Sequence, residues 1–168
     1  MTGSLDLGDT PSPVDGVLPS GGGAVMASRV EGSEGLDYFP TPPWAARAGG
    51  ELIQSFDPGA WTCWEPACGE GHMAHGLKDY FRIVRQTDVY DYGATNPDQA
   101  SVRSFLGPDP YLPSVSAVDW IVTNPPFKDG EAFIRQAWGI ARRGVAMLLR
   151  LQFIEAWGGI SCSPRTAP

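Results

Sequence analysis

From about residue 37 onward, short apolar runs alternate with stretches of helical spacing. Trp61 to Trp64, Ile83 to Val89 and Asp119 to Thr123, with Val118 before it, read as strands, and Val145 to Leu151 reads as a buried strand. Helical patterns fall between them. Thr41-Pro42-Pro43 predicts a helix start, with Thr41 as the cap and proline in the first turn, where its missing N–H costs nothing. That helix runs through Trp44, Ala45, Ala48, Leu52 and Ile53 and stops before Asp57-Pro58-Gly59. A second is expected from about His72 to Tyr80. A third spans Asp129 to Arg142, with apolar positions at Ala132, Phe133, Ala137 and Ile140 and Gly144 as its terminator. Asp91 to Asn96 and Gly107 to Ser116 read as turn-rich connections. Strands alternating with helices imply a mostly parallel, doubly wound sheet covered on both faces.

The first 35 residues show no such pattern. They are rich in Gly, Ser, Pro and Asp and bury too little apolar surface to offset their ordering entropy, so they are expected to be disordered. At 168 residues the chain suits one α/β domain. We assign residues 36–155 to it and 156–168 to an irregular tail.

Charge alters the picture only slightly. The net charge of −7 is unhelpful for binding a polyanion. Most of it lies in the first 37 residues, where Asp6, Asp9, Asp15, Glu31, Glu34 and Asp37 face only Arg29. From Lys128 onward the balance turns positive. The three cysteines form no CxxC, which argues for free thiols in a reducing compartment. Cys63, Cys68, His72 and His75 lie close together, but their spacing matches no common zinc pattern, and no metal is expected. Without a signal peptide or a membrane-length apolar run, the expected compartment is the cytoplasm.

Two segments carry candidate chemistry. Glu65-Pro66-Ala67-Cys68-Gly69-Glu70-Gly71 joins a strand to a helix, where glycines let the backbone approach a ligand closely. Asp88, at the end of the next strand, stands where an acid typically accepts hydrogen bonds from a ribose. That spacing fits a nucleoside cofactor. The second segment, Asn124-Pro125-Pro126-Phe127, follows the apolar strand directly. Two prolines stiffen the exit and leave the Asn124 side-chain oxygen and the Pro125 carbonyl as acceptors for an amino group. Phe127 offers a face on which a flat ring can stack.

With both segments in this order, the chain resembles the class I S-adenosylmethionine-dependent methyltransferases, specifically the bacterial and phage adenine-N6 DNA methyltransferases. Tyr38-Phe39-Pro40-Thr41-Pro42-Pro43-Trp44 resembles the family's N-terminal cofactor-contact segment. Glu65 to Gly71 resembles its cofactor loop, Asp88 its ribose-binding acid, and Asn124 to Phe127 its catalytic tetrapeptide. The likeness extends over residues 36–155. It implies a Rossmann-like fold and S-adenosyl-L-methionine held by Phe39, Thr41, Glu65, Pro66, Ala67, Gly69, Gly71, Asp88, Ser104 and Phe105. It further implies that double-stranded DNA is bound with an adenine flipped out of the duplex. Asn124, Pro125, Pro126 and Phe127 would hold that base, Asn124 and Pro125 accepting the two N6 hydrogens.

Two departures bear on this expectation. Before Phe105-Leu106 the family usually carries an aspartate that contacts the cofactor's adenine; this chain has Ser104. After Glu155 the likeness ceases, where the family continues with a further βα unit and a hairpin. The resemblance therefore implies a sheet lacking its final strands, with an apolar edge that a partner chain could cover. The Asn-Pro-Pro-aromatic segment also occurs in enzymes that methylate guanine in ribosomal RNA or glutamine in proteins. An inactive methyltransferase remnant is a further alternative.

Overall fold

Every residue of the strand Val118–Thr123 is buried, and the rest of the fold is arranged around it. The computed structural model describes residues 39–107 and 118–156. The expectations for the N-terminal segment, for Tyr38, for most of the 107–116 connection and for the tail lie outside the described residues. In chain order the elements are α1 (Pro43–Phe56), β1 (Thr62–Glu65), α2 (His72–Leu77), β2 (Ile83–Asp88), β3 (Ser101–Val102), β4 (Val118–Thr123), α3 (Gly130–Ile140), β5 (Ala141–Met147) and α4 (Leu151–Ala156). The five strands form one sheet in the order β3-β2-β1-β4-β5, and all four pairings are parallel.

The pleat of β1 and β4 divides the core in two. Cys63, Trp120 and Val122 face α1 and α2, packing with Ala46, Ile53, Met73 and Leu77. Trp64, Val118 and Ile121 face the other way, against Phe133, Ala137 and Ile140 of α3. Helices thus cover both faces of the sheet, the doubly wound α/β arrangement. Asp119 fastens β4 to the start of β1. Its Oδ2 accepts the backbone N–H groups of Trp61 and Thr62 and the Thr62 hydroxyl, each at 3.0 Å. Burial would raise the Asp119 pKa, but these donors and the nearby Arg142 hold it below the usual carboxylate value.

Four sequence expectations need correction. Helix α3 ends at Ile140 instead of reaching Arg142, and Arg142, Arg143 and Gly144 belong to β5. Pairing with β4 outweighs the continuing helical pattern, and Gly144 is there for space: a Cβ would collide with the Trp120 ring. Consequently the strand expected at Val145–Leu151 is shifted toward the N-terminus, and Leu151 opens α4. Thr41 accepts no cap bond from the first turn; Pro42 holds the N-cap position. Finally, α2 ends at Leu77, short of Tyr80.

Among the described residues β5 is an edge of the sheet, paired on one side with β4. No helix among the described residues is long and apolar enough to cross a membrane.

Candidate active site

The strand order reverses direction at β1: the chain moves outward through β2 and β3, then returns to place β4 on the other side. In sheets of this kind a crevice opens at the carboxyl ends of the strands beside such a switch point. Here β1 delivers the Glu65–Gly71 loop to that place and β4 delivers Asn124–Phe127.

The loop after β1 is built as a close-approach turn. Gly71 caps α2 at φ +84°, and a Cβ there would sit 3.0 Å from Gln86 Oε1 and 3.1 Å from Asn96 Oδ1. Asp88 Oδ2 accepts the Gly69 N–H at 2.9 Å, and its Oδ1 accepts the Tyr90 N–H at 3.1 Å. Burial raises the Asp88 pKa, partly opposed by these backbone donors. Asp88 therefore shapes the loop as well as lining the pocket. Asn96 completes the turn, donating from Nδ2 to the Gly69 carbonyl at 2.9 Å. Sequence reading missed Asn96 because it lies in a turn-rich connection, 27 residues from its partner.

Between the two loops lies a cavity of about 280 Å³. Of the residues expected to hold cofactor or base, it brings together Phe39, Thr41, Glu65, Pro66, Ala67, Asp88, Ser104, Phe105, Asn124 and Pro126. Gly69 and Gly71 shape the loop from behind, and neither Pro125, which is buried, nor Phe127 is part of the cavity wall. The wall also includes Met73, Tyr92, Lys128, Asp129 and Phe133, which sequence reading did not single out. Phe105 is held from beneath, edge-on to Trp64 at 5.3 Å and tilted against Phe133 at 4.9 Å.

Two buried acceptors in this wall have no hydrogen-bond partner among the described residues, Glu65 Oε2 and Asn124 Oδ1. The Asn124 amide is oriented by its neighbours: Nδ2 donates to the Phe39 carbonyl at 2.9 Å and to Thr41 Oγ1 at 3.2 Å. A carbonyl can only accept, so nitrogen must face Phe39, and the oxygen is the atom left over. Glu65 is fully buried, and burial, with Asp88 adding repulsion, pushes its pKa well above the usual carboxylate value despite a backbone donor at Ala74. Cys63 lies inside β1 and is fully buried, while His72 and His75 lie on α2. Cys68 lines the cavity, but burial and the acids Glu65 and Asp88 raise its thiol pKa far out of the nucleophilic range.

No protein-family model matches the chain, and no curated protein matches it significantly. Among solved structures it is similar to a protein proposed as an RNA methyltransferase from Pyrococcus horikoshii, with TM-score 0.54, 18% identity, and coverage of 78% of this chain and 75% of that one. The likeness is one of fold, a doubly wound, Rossmann-like α/β sheet. A second similar structure is a protein proposed as a type II methyltransferase from Anaeromyxobacter dehalogenans, with TM-score 0.49, 20% identity and coverage of 61% of this chain. The chain spans 46% of that protein's length.

Proposed function

We propose that the chain transfers a methyl group from S-adenosyl-L-methionine to the N6 amino group of adenine in DNA. The observation that carries this reading is the Asn124 side chain, whose nitrogen is committed to Phe39 and Thr41 and whose buried oxygen is left for a ligand's N–H. A buried acceptor without a partner costs about 1–3 kcal/mol, a cost that an entering amino group removes.

The cavity fits the cofactor in its chemistry. Glu65 and Asp88 would face a molecule carrying an ammonium and a sulfonium, and the unpartnered Glu65 Oε2 is a ready acceptor for a cationic N–H. Phe105 would pack against its flat adenine, and Ser104 would accept a hydrogen bond from that ring. S-adenosylmethionine supplies an electrophilic methyl on sulfur. The protein's task is then positioning and electrostatics. Asn124 Oδ1 accepts an N–H of the target amine and draws the nitrogen lone pair out of conjugation with its ring. With its lone pair so freed, the amine would take the methyl that the bound cofactor supplies, the methyl–sulfur electrons staying on sulfur and the surplus amine proton passing to water. The stiff Pro125-Pro126 exit keeps Asn124 from turning away.

The test has two stages. Calorimetric titration should show S-adenosylmethionine binding near one per chain, and parallel assays should then show methyl transfer to DNA but not to RNA or protein. Transfer to RNA alone, the substrate class proposed for the Pyrococcus horikoshii protein, would move the target amine to another polymer while keeping the site.

A further inference from the structure

Three flat groups pack together beside the segment that Asn124 opens. The Phe39 and Phe127 rings lie with centroids 4.9 Å apart, tilted by 39°. The Arg150 guanidinium carbon sits 4.2 Å over the Phe127 ring and 5.3 Å over that of Phe39. Arg150 arrives from the segment after β5, which is tied to the β4 exit by the Leu148 N–H donating to the Thr123 carbonyl at 3.0 Å. Its carbonyl accepts the Phe153 N–H at 2.9 Å, so its backbone is fixed while its side chain is exposed.

Nucleobases stack on aromatic faces and on guanidinium planes alike. Phe127 stands beside the cavity wall, and a ring that stacks on it with its amino group toward Asn124 would take the face that the guanidinium now covers; Phe39 also packs against that side chain. Arg150 covers that face with a long, exposed side chain. A gap of 4.2 Å holds no third layer, so the guanidinium must move outward by about one ring thickness for a base to enter. A long exposed side chain can do so at little cost, and the same plane can then cover the base.

Building on the base-binding reading above, we propose that Arg150 is the movable outer wall of the substrate site: its guanidinium holds the place of the target ring over Phe127 and closes on that ring's outer face once it has entered. Arg150 is a substrate-positioning residue in this account, acting by its plane more than by its charge.

The test uses the full chain with S-adenosylhomocysteine and a fluorescein-labelled, adenine-rich single-stranded oligonucleotide, read by anisotropy. Arg150→Lys and Arg150→Gln should each weaken binding about tenfold, the order expected for one lost base stack. Arg135→Gln, which removes another exposed charge, on α3, should change it less than about twofold. Circular dichroism should show all three variants folded. Wild-type affinity in Arg150→Lys would reduce the residue to a point charge and overturn the proposal, as would a wild type that does not bind the oligonucleotide. Arg150-dependent binding without methyl transfer to any polymer would instead leave the wall in place and sink the transfer reading.

Discussion

Asn124 donates its amide nitrogen to the carbonyl of Phe39, 2.9 Å away, and this bond ties the exit of β4 to the segment that leads into α1. Two stretches separated by 85 residues are thereby made into one wall, with the free end of the amide turned inward. Most of what the site can do follows from that orientation.

Asn124→Ala should lower methyl transfer by roughly the 100- to 1,000-fold seen when a hydrogen bond that matters in the transition state is lost. Cofactor affinity should fall only a few-fold, through loosening of Phe39 and Thr41. Steady-state kinetics beside calorimetry separates the two effects, and near wild-type turnover would remove Asn124 from the chemistry.

Glu65 predicts an unusual pH dependence. Its folded pKa is raised, so the folded chain keeps a proton that the unfolded chain loses above about pH 4.5, and this group's cost to stability grows as pH rises from there. Glu65→Gln should therefore unfold at a higher temperature than wild type at pH 8, with the difference vanishing near pH 4, while binding S-adenosylmethionine less tightly. Thermal melts at the two pH values check the first half. A variant less stable than wild type at pH 8, with the loss shrinking toward pH 4, would show that Glu65 is held as a stabilising ion.

Asp119 has the opposite sign. Its folded pKa lies below its ordinary value near 3.8, so its stabilisation is present above that pH and is lost as pH falls toward the depressed folded value. Asp119→Ala should cost about 2–4 kcal/mol at pH 7, since the N–H groups of Trp61 and Thr62 lose their acceptor. Urea unfolding at pH 7 and pH 3 should show the penalty shrinking in acid.

Gly71→Ala should damage the cofactor loop locally. The residue would have to hold φ +84° with its methyl 3.0 Å from Gln86 Oε1, a conformational strain of about 1–2 kcal/mol before any clash. The expected result is a modest fall in melting temperature with a larger fall in cofactor affinity. Affinity unchanged by the substitution would show that the loop does not touch the cofactor.

Much of this was legible in the amino-acid sequence because local and global preferences agree there. Val118 to Thr123 centres on the apolar Trp120-Ile121-Val122 and is buried along its length, and the glycine-rich and proline-rich segments on either side of the switch point are short and chemically distinctive. The junction of α3 and β5 was not legible. Arg142 and Arg143 continue a plausible exposed helix face, and only pairing with β4 draws them into a strand. The two-residue β3 carries too little pattern to be seen. Thr41 looked like a helix cap by local chemistry, but its hydroxyl meets Asn124, 83 residues away. Arg150 and Asn96 likewise act only through distant partners, which no local spacing encodes.

The most direct measurement is the identity of the methylated nucleoside. Unmethylated DNA would be incubated with the chain and S-adenosylmethionine carrying an isotopically labelled methyl group, digested to nucleosides and read by mass spectrometry. Label in N6-methyl-2′-deoxyadenosine, lost with Asn124→Ala, is the result this account predicts. Unlabelled DNA from a protein that binds the cofactor, or label on another base that persists in Asn124→Ala, would contradict it.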